Sequence, residues 1–67
     1  MANEVIAETW KRVKTLVESM DIDVQKNAGG NASAGVRARR GLRLLKKEAA
    51  ALIKSMVEVE KDRKVAE

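Results

Sequence analysis

The sequence contains no cysteine and no histidine, and these absences exclude several classes of function. Without thiols or imidazoles, we expect no disulfide, no cysteine or histidine catalysis and no soft-metal site. Proline, tyrosine and phenylalanine are also absent, and Trp10 is the only aromatic residue. No paired carboxylates lie on an apolar helix face, and no glycine loop follows a strand. We therefore predict that the protein is not an enzyme and uses no cofactor, metal or small-molecule substrate.

Long hydrophobic runs are lacking as well. The longest, residues 49–53, is far short of the ~20 residues of a membrane span. The N-terminus carries Glu4 and Glu8 where a signal peptide would be basic and then apolar. We expect a cytoplasmic protein without a membrane partner, which the missing cysteines allow.

The chain is short, with 67 residues of which 36% are charged and 45% hydrophobic. This balance is typical of a soluble helical protein. A chain of this length buries only about 60% of its unfolded surface and is marginally stable alone. Because disulfides and zinc sites are excluded, we expect oligomerisation to supply further stability.

Turn-forming residues cluster at one place only, residues 27–31. Gly29 or Gly30 can adopt the left-handed conformation that ends a helix, and Asn31 can cap the next one. Asn3 is the corresponding cap at the start of the chain. We therefore predict a single domain over residues 1–67, with helices over residues 3–26 and 32–64 joined by a turn.

Apolar residues in both predicted helices recur at alternating intervals of three and four, which indicates a coiled-coil-like seam. In the first helix they are Ile6, Trp10, Val13, Val17, Met20 and Val24; in the second they are Leu42, Leu45, Ala49, Leu52, Met56 and Val59. The short turn makes the helices antiparallel neighbours. We predict an all-α antiparallel helical hairpin with Trp10 in its core and Met20 beside Ala38.

The second helix carries more apolar surface than one partner helix can cover. Ala50, Ile53 and Val57 form a second stripe, and the turns from Met56 to Val59 extend beyond the first helix in the predicted register. We therefore predict a homo-oligomer, with a dimer favoured, that associates through the longer second helix.

Positive charge is concentrated in one quarter of the chain. The formal net charge is +4, whereas residues 34–50 alone carry +5. At 100° per residue, Arg40, Arg43 and Lys47 form one ridge that points away from the seam. Arg39 and Lys46 flank this ridge on one side, and Arg37 lies on the other.

Guanidinium groups bind phosphate in bidentate geometry, so a basic helix face of this kind favours a nucleic-acid partner. Basic residues of the first helix lie at the same height and extend the predicted patch. The predicted DNA-contacting residues are Arg37, Arg39, Arg40, Arg43, Lys46, Lys47, Lys11, Arg12 and Lys14.

The segment Gly30–Arg40, which reads GNASAGVRARR, carries a family resemblance. It resembles the GN-x-x-A-G-x-R-x-R-[KR] segment of the small linker-histone-like proteins of bacteria. The following Leu42, Leu45, Lys46 and Lys47, and the long helix after them, are also similar to that family. The resemblance covers roughly residues 27–64 and implies a nucleoid-associated DNA-binding protein in which Arg37, Arg39 and Arg40 contact DNA or shape the motif. Longer family members carry a Lys/Ala/Pro-rich tail that has no counterpart within residues 1–67, and the resemblance leads us to expect the short, tail-less form.

The leading hypothesis is non-sequence-specific binding of double-stranded DNA by a histone-like oligomer that bridges or bends it. The alternative is a scaffold module whose basic face binds an acidic protein. A third hypothesis, an amphipathic helix on an anionic membrane surface, is less favoured because the apolar face lacks the aromatic residues that anchor such helices.

Overall fold

The computed structural model describes the backbone of residues 3–66 and the side chains of residues 3–62. Two helices, α1 (Glu4–Ala28) and α2 (Ala32–Ala66), pack against each other, and there is no strand in the described range. The fold is the all-α antiparallel hairpin expected from the sequence. It is a rod of 54 × 15 × 12 Å, and α2 is continuous through both of its glycines.

The helix ends follow from local hydrogen bonding. Asn3 Oδ1 accepts a bond from the Ile6 amide at 3.1 Å, and Asn31 Oδ1 accepts one from the Ala34 amide at 2.9 Å. Each side chain thus satisfies an amide that the helix itself leaves without a partner. Both caps predicted from the sequence are confirmed.

The connection between the helices is tight because Gly30 has a φ of +106°, a conformation that L side chains rarely adopt. The Gly30 amide donates to Asn27 O at 2.9 Å, and the Asn31 amide donates to Lys26 O at 3.0 Å. Asn27 Nδ2 closes the turn by donating to Asn31 O at 3.2 Å. These bonds fix where α2 begins relative to α1.

The buried stripe of α1 lies next to the predicted one. Thr9, Val13 and Met20 are buried, whereas Trp10 is 50% exposed. Val17 and Val24 are exposed as well, so the prediction that these three residues belong to the core is wrong. Thr9 can be buried because its hydroxyl has hydrogen-bond partners: Oγ1 donates to Val5 O at 2.8 Å and accepts from Arg12 Nη2 at 3.2 Å.

The register also differs from the expected one. Met20 lies beside Gly41, where its Cγ is 2.8 Å from the position that a Cβ on that glycine would occupy, and not at the predicted position beside Ala38. Together with the pairs Arg12–Glu48 and Asp23–Arg37, this contact places the pairing two to three residues further along α2 than predicted.

In α2 the seam is partly as predicted. Ala38 and Leu52 are buried, and Leu45, Ala49 and Val59 are partly buried. Leu42 and Met56 are exposed, against the prediction. Val59 lines a surface depression with Asn3 and Val5, so the start of α1 reaches the level of Val59, further along α2 than predicted.

Candidate nucleic-acid interface

The outer side of α2 carries five exposed cations within a little more than two turns. We call them the basic row: Arg39, Arg40, Arg43, Lys46 and Lys47. The helix alone positions them, because intervals of three and four residues return to one side of an α-helix. Within residues 3–62, no carboxylate lies within 4.0 Å of these side chains.

Arg43 is the centre of this row. Its neighbours at four and three residues before and after it are Arg39, Arg40, Lys46 and Lys47, all of them cationic. Like charges at these spacings destabilise a helix by a few tenths of a kcal/mol per pair. The arrangement therefore has an electrostatic cost in the free protein that a bound anion would remove.

Arg37 is placed differently from the rest of its segment. Its Nε and Nη2 atoms donate to Asp23 Oδ1 of α1 at 3.1 and 3.0 Å. This ion pair ties the two helices together near the turn, where the guanidinium is half exposed. Arg37 thus already has an anionic partner within the chain.

The cations predicted on α1 have neighbours on their own helix or in the groove between the helices. Arg12 Nε donates to Glu48 Oε2 at 3.3 Å, on the same side of the hairpin as the Arg37–Asp23 pair. Lys11 lines an open groove with Arg12 and Glu48, whose volume is about 390 Å³. Lys14 lies elsewhere, with Nζ 5.9 Å from the centre of the Trp10 ring, within cation–π range.

Two polar groups of that groove already have partners within the chain. Of its polar groups, Glu48 is held by Arg12, and Ser19 Oγ donates to Leu16 O at 2.7 Å. Among the described residues there is no cluster of three or more side chains suited to a metal ion, and no helix there is long and apolar enough to cross a membrane.

Two further cations extend the line of the basic row and were missed in the sequence. Lys54 and Lys61 are exposed and follow Lys47 at intervals of seven residues, as Lys47 follows Arg40. Residues seven apart lie nearly on one line along a helix. The signal was present in the spacing, but the mixed charges around Glu58 concealed it.

A comparison with protein-family models finds a match to the histone H1-like protein Hc1 over residues 7–62. No curated protein and no solved structure gives a significant match. The matched range contains the basic row, both ion pairs and most of each helix. Histone H1-like proteins are DNA-binding architectural proteins rather than enzymes. Because the match spans well over half of the chain, this protein belongs to the histone H1-like Hc1 family.

Proposed function

We propose that the hairpin binds double-stranded DNA without sequence preference and organises nucleoid DNA in the cytoplasm. The observation that carries this proposal is the basic row, five exposed cations without a carboxylate within ion-pair distance in residues 3–62, in a chain of a histone H1-like family. Such a surface suits a polyanion, because bound phosphates offset the repulsion between the neighbouring cations.

The chemistry of the row favours phosphates over bases. Arginine and lysine neutralise phosphates and release the counterions condensed on DNA. Direct reading of bases commonly uses asparagine or glutamine as well, and the surface between residues 36 and 54 contains neither. Contacts limited to phosphates position a protein on DNA but carry no sequence information.

Lys54 and Lys61 lengthen this surface. The line from Arg40 to Lys61 covers 21 residues, or about 31 Å at 1.5 Å per residue. One helical turn of B-DNA is similar, roughly 34 Å. We expect the strongest contacts in the basic row and weaker ones at Lys54 and Lys61, since Glu58 lies between them.

The remaining predicted contacts have smaller roles in this proposal. Arg12 and Arg37 must leave Glu48 and Asp23 before they bind phosphate fully. Lys11 and Lys14 add long-range attraction from α1. A dimer would present two basic rows, with which it could bridge two DNA segments or bend one.

The test is a titration of duplex DNA at several salt concentrations. With four to five phosphate contacts, log K should fall against log salt with a slope of about −4. Two duplexes of unrelated sequence should bind within about twofold of each other, because phosphate contacts carry no sequence information. A slope near zero, or a strong sequence preference, would contradict the proposal.

A matched pair of variants locates the contacts. Arg39→Ala/Arg43→Ala should weaken binding by roughly 150-fold or more, since each lost charge-assisted contact costs about 1.5 kcal/mol or more. Arg12→Ala/Arg37→Ala removes the same charge from the paired arginines and should weaken binding by less than about tenfold. Circular dichroism should show that both variants remain helical. Equal losses in the two variants would show that only net charge matters.

The alternative function, a scaffold that binds an acidic protein, is favoured by one observation: the basic row borders exposed apolar side chains such as Leu42. A competition experiment with a polyanion distinguishes the scaffold function from DNA binding. Binding of an acidic protein that persists while no DNA binds at low salt would favour the scaffold.

A further inference from the structure

An open groove runs between the helices on the side of the hairpin that carries the two ion pairs. Leu16 of α1 and Leu44 of α2 line it, and its volume is about 390 Å³. Leu44 is 49% exposed, and Leu16 is partly buried. At 100° per residue, Leu16 lies on the flank of α1 opposite to Trp10. Both helices therefore contribute apolar surface to this groove.

The charged groups of the groove leave positive charge for a ligand. Glu48 is held by Arg12 Nε at 3.3 Å, so this carboxylate already has a partner. Lys11 is exposed, and no carboxylate of residues 3–62 lies within 4.0 Å of it. Glu8 is the second carboxylate that lines the groove, and it is exposed at one end.

The basic row supplies the second cationic edge of the groove. Arg40 lies four residues before Leu44 and Lys47 three residues after it, so these two cations flank the leucine on the surface of α2. Lys11 borders the groove from α1. The apolar floor therefore lies between cationic edges on both helices.

We propose that this groove binds a segment of a partner protein that carries both apolar side chains and carboxylates. Its apolar side chains pack against Leu16 and Leu44. Its carboxylates pair with Lys11 on one edge and with Arg40 and Lys47 on the other. A groove with an apolar floor and charged edges is a common docking site for an amphipathic segment.

Shape and chemistry favour such a segment over other anions. Sites for small molecules enclose most of the ligand surface, whereas this groove is open along its length. A DNA backbone can pair with the cationic edges, but it brings no apolar side chain to cover the two leucines. The inference rests on the groove itself and not on DNA binding.

One consequence does rest on the proposed function. Arg40 and Lys47 belong both to the groove edge and to the basic row. A bound acidic segment should therefore compete with DNA for these two cations, and the partner would weaken the hold of the hairpin on DNA.

The test is fluorescence anisotropy of the full chain with a labelled synthetic peptide, Glu-Leu-Glu-Glu-Leu-Leu-Glu, at low salt. The protein should bind this peptide. Serine in place of the three leucines should weaken binding at least about tenfold, because the apolar contact is then lost. Glutamine in place of the four glutamates should weaken it to a similar extent, because the cationic edges then have no partner.

A matched pair of variants locates the peptide. Leu44→Ala should weaken its binding about five- to tenfold, because half of this side chain is available for burial. Val36→Ala is the control: Val36 is 47% exposed on the same helix but does not line the groove, so affinity should stay within about twofold. Circular dichroism should show that both variants remain helical.

Three outcomes overturn the proposal. The first is a wild-type chain that does not bind the peptide at millimolar concentration. The second is equal binding to Leu44→Ala and Val36→Ala, which would show that the basic row alone attracts the peptide. The third is a loss of oligomer mass in sedimentation of Leu44→Ala alone, which would show that a second copy occupies the groove.

Duplex DNA separates this proposal from the proposed function. The peptide should displace the duplex from the wild-type chain and, at equal concentration, less from Leu44→Ala, while both proteins bind the duplex equally well without peptide. Peptide binding that depends on Leu44, in a protein that binds no duplex, would support the groove and contradict the proposed function.

Discussion

On one side of the hairpin, Arg12 and Arg37 each lie against a carboxylate of the other helix, whereas the arginines of the basic row have no such partner in the described part of the chain. The residue type is the same, but the surroundings differ. The paired arginines link α1 to α2 and contribute to the fold. The basic row only adds repulsion to the free protein, and this difference supports the proposal that its charges bind phosphate.

The apolar side chains show a similar contrast. Val13 and Met20 are buried between the helices, while Val17 and Val24, of the same class and on the same helix, are exposed. A single hairpin buries only one of these two stripes, so the other is left at its surface.

The largest effect on stability is expected from Met20→Ala, which tests whether α1 packs on α2 with Met20 beside Gly41. Met20 is 7% exposed and occupies the space beside Gly41, at the height of the basic row. Truncation of a buried methionine costs about 2–5 kcal/mol. We expect a large fall in the free energy of unfolding, measured by urea denaturation.

Ile22→Ala is the control for that substitution, because it also shortens an apolar side chain of α1 but at an exposed position. It should change stability by less than about 0.5 kcal/mol. If the two variants are equally stable, α1 and α2 do not pack in the register described, and the comparison of paired with unpaired arginines loses its basis.

A smaller effect is expected from Asp23→Asn, which removes the carboxylate that pairs with Arg37 and leaves this arginine without its ion pair. Loss of the half-exposed ion pair should cost no more than about 1 kcal/mol of stability. DNA affinity should rise severalfold, and the slope of log K against log salt should steepen by about one contact. The DNA affinity and its salt slope are measured with the duplex titration.

Asp21→Asn separates the release of Arg37 from the change in net charge. Asp21 is exposed, and no ion pair to it occurs within residues 3–62. Its substitution should raise affinity slightly without steepening the slope. If Asp21→Asn and Asp23→Asn steepen the slope of log K against log salt equally, then Arg37 contacts DNA equally well when Asp23 is present.

Local features of the fold could be predicted because they depend on neighbouring residues. The caps at Asn3 and Asn31 and the turn at Gly30 follow from side-chain reach and from backbone freedom. The exposure of the basic row follows from helical spacing alone. None of these features needs knowledge of how the helices face each other.

The buried stripe of α1 could be predicted only in part: Val13 and Met20 are buried as expected, whereas Trp10, Val17 and Val24 are exposed. Which side of α1 turns inwards depends on contacts distant in sequence: Arg12 with Glu48, Asp23 with Arg37 and Met20 with Gly41. The sequence pattern also gives no reason to bury Thr9, whose hydroxyl is satisfied only within the helix. The paired state of Arg37, and with it the division of the basic residues into two classes, depends on the same register.

The smallest effect on stability is expected from a substitution in the basic row, and it distinguishes these unpaired cations from the ion-paired Arg12 and Arg37 in the free protein. Arg43→Gln keeps a similar helix propensity but removes four repulsive pairs, with Arg39, Arg40, Lys46 and Lys47. We expect it to stabilise the hairpin by up to about 1 kcal/mol at 10 mM salt, an effect that disappears at 0.5 M salt because the charges are exposed and screened. Lys54→Gln, which instead removes an attractive spacing to Glu58, should be neutral or slightly destabilising. If Arg43→Gln weakens DNA binding while it stabilises the free protein, then Arg43 contributes to binding DNA at a cost in stability, the opposite of what Arg12 and Arg37 do.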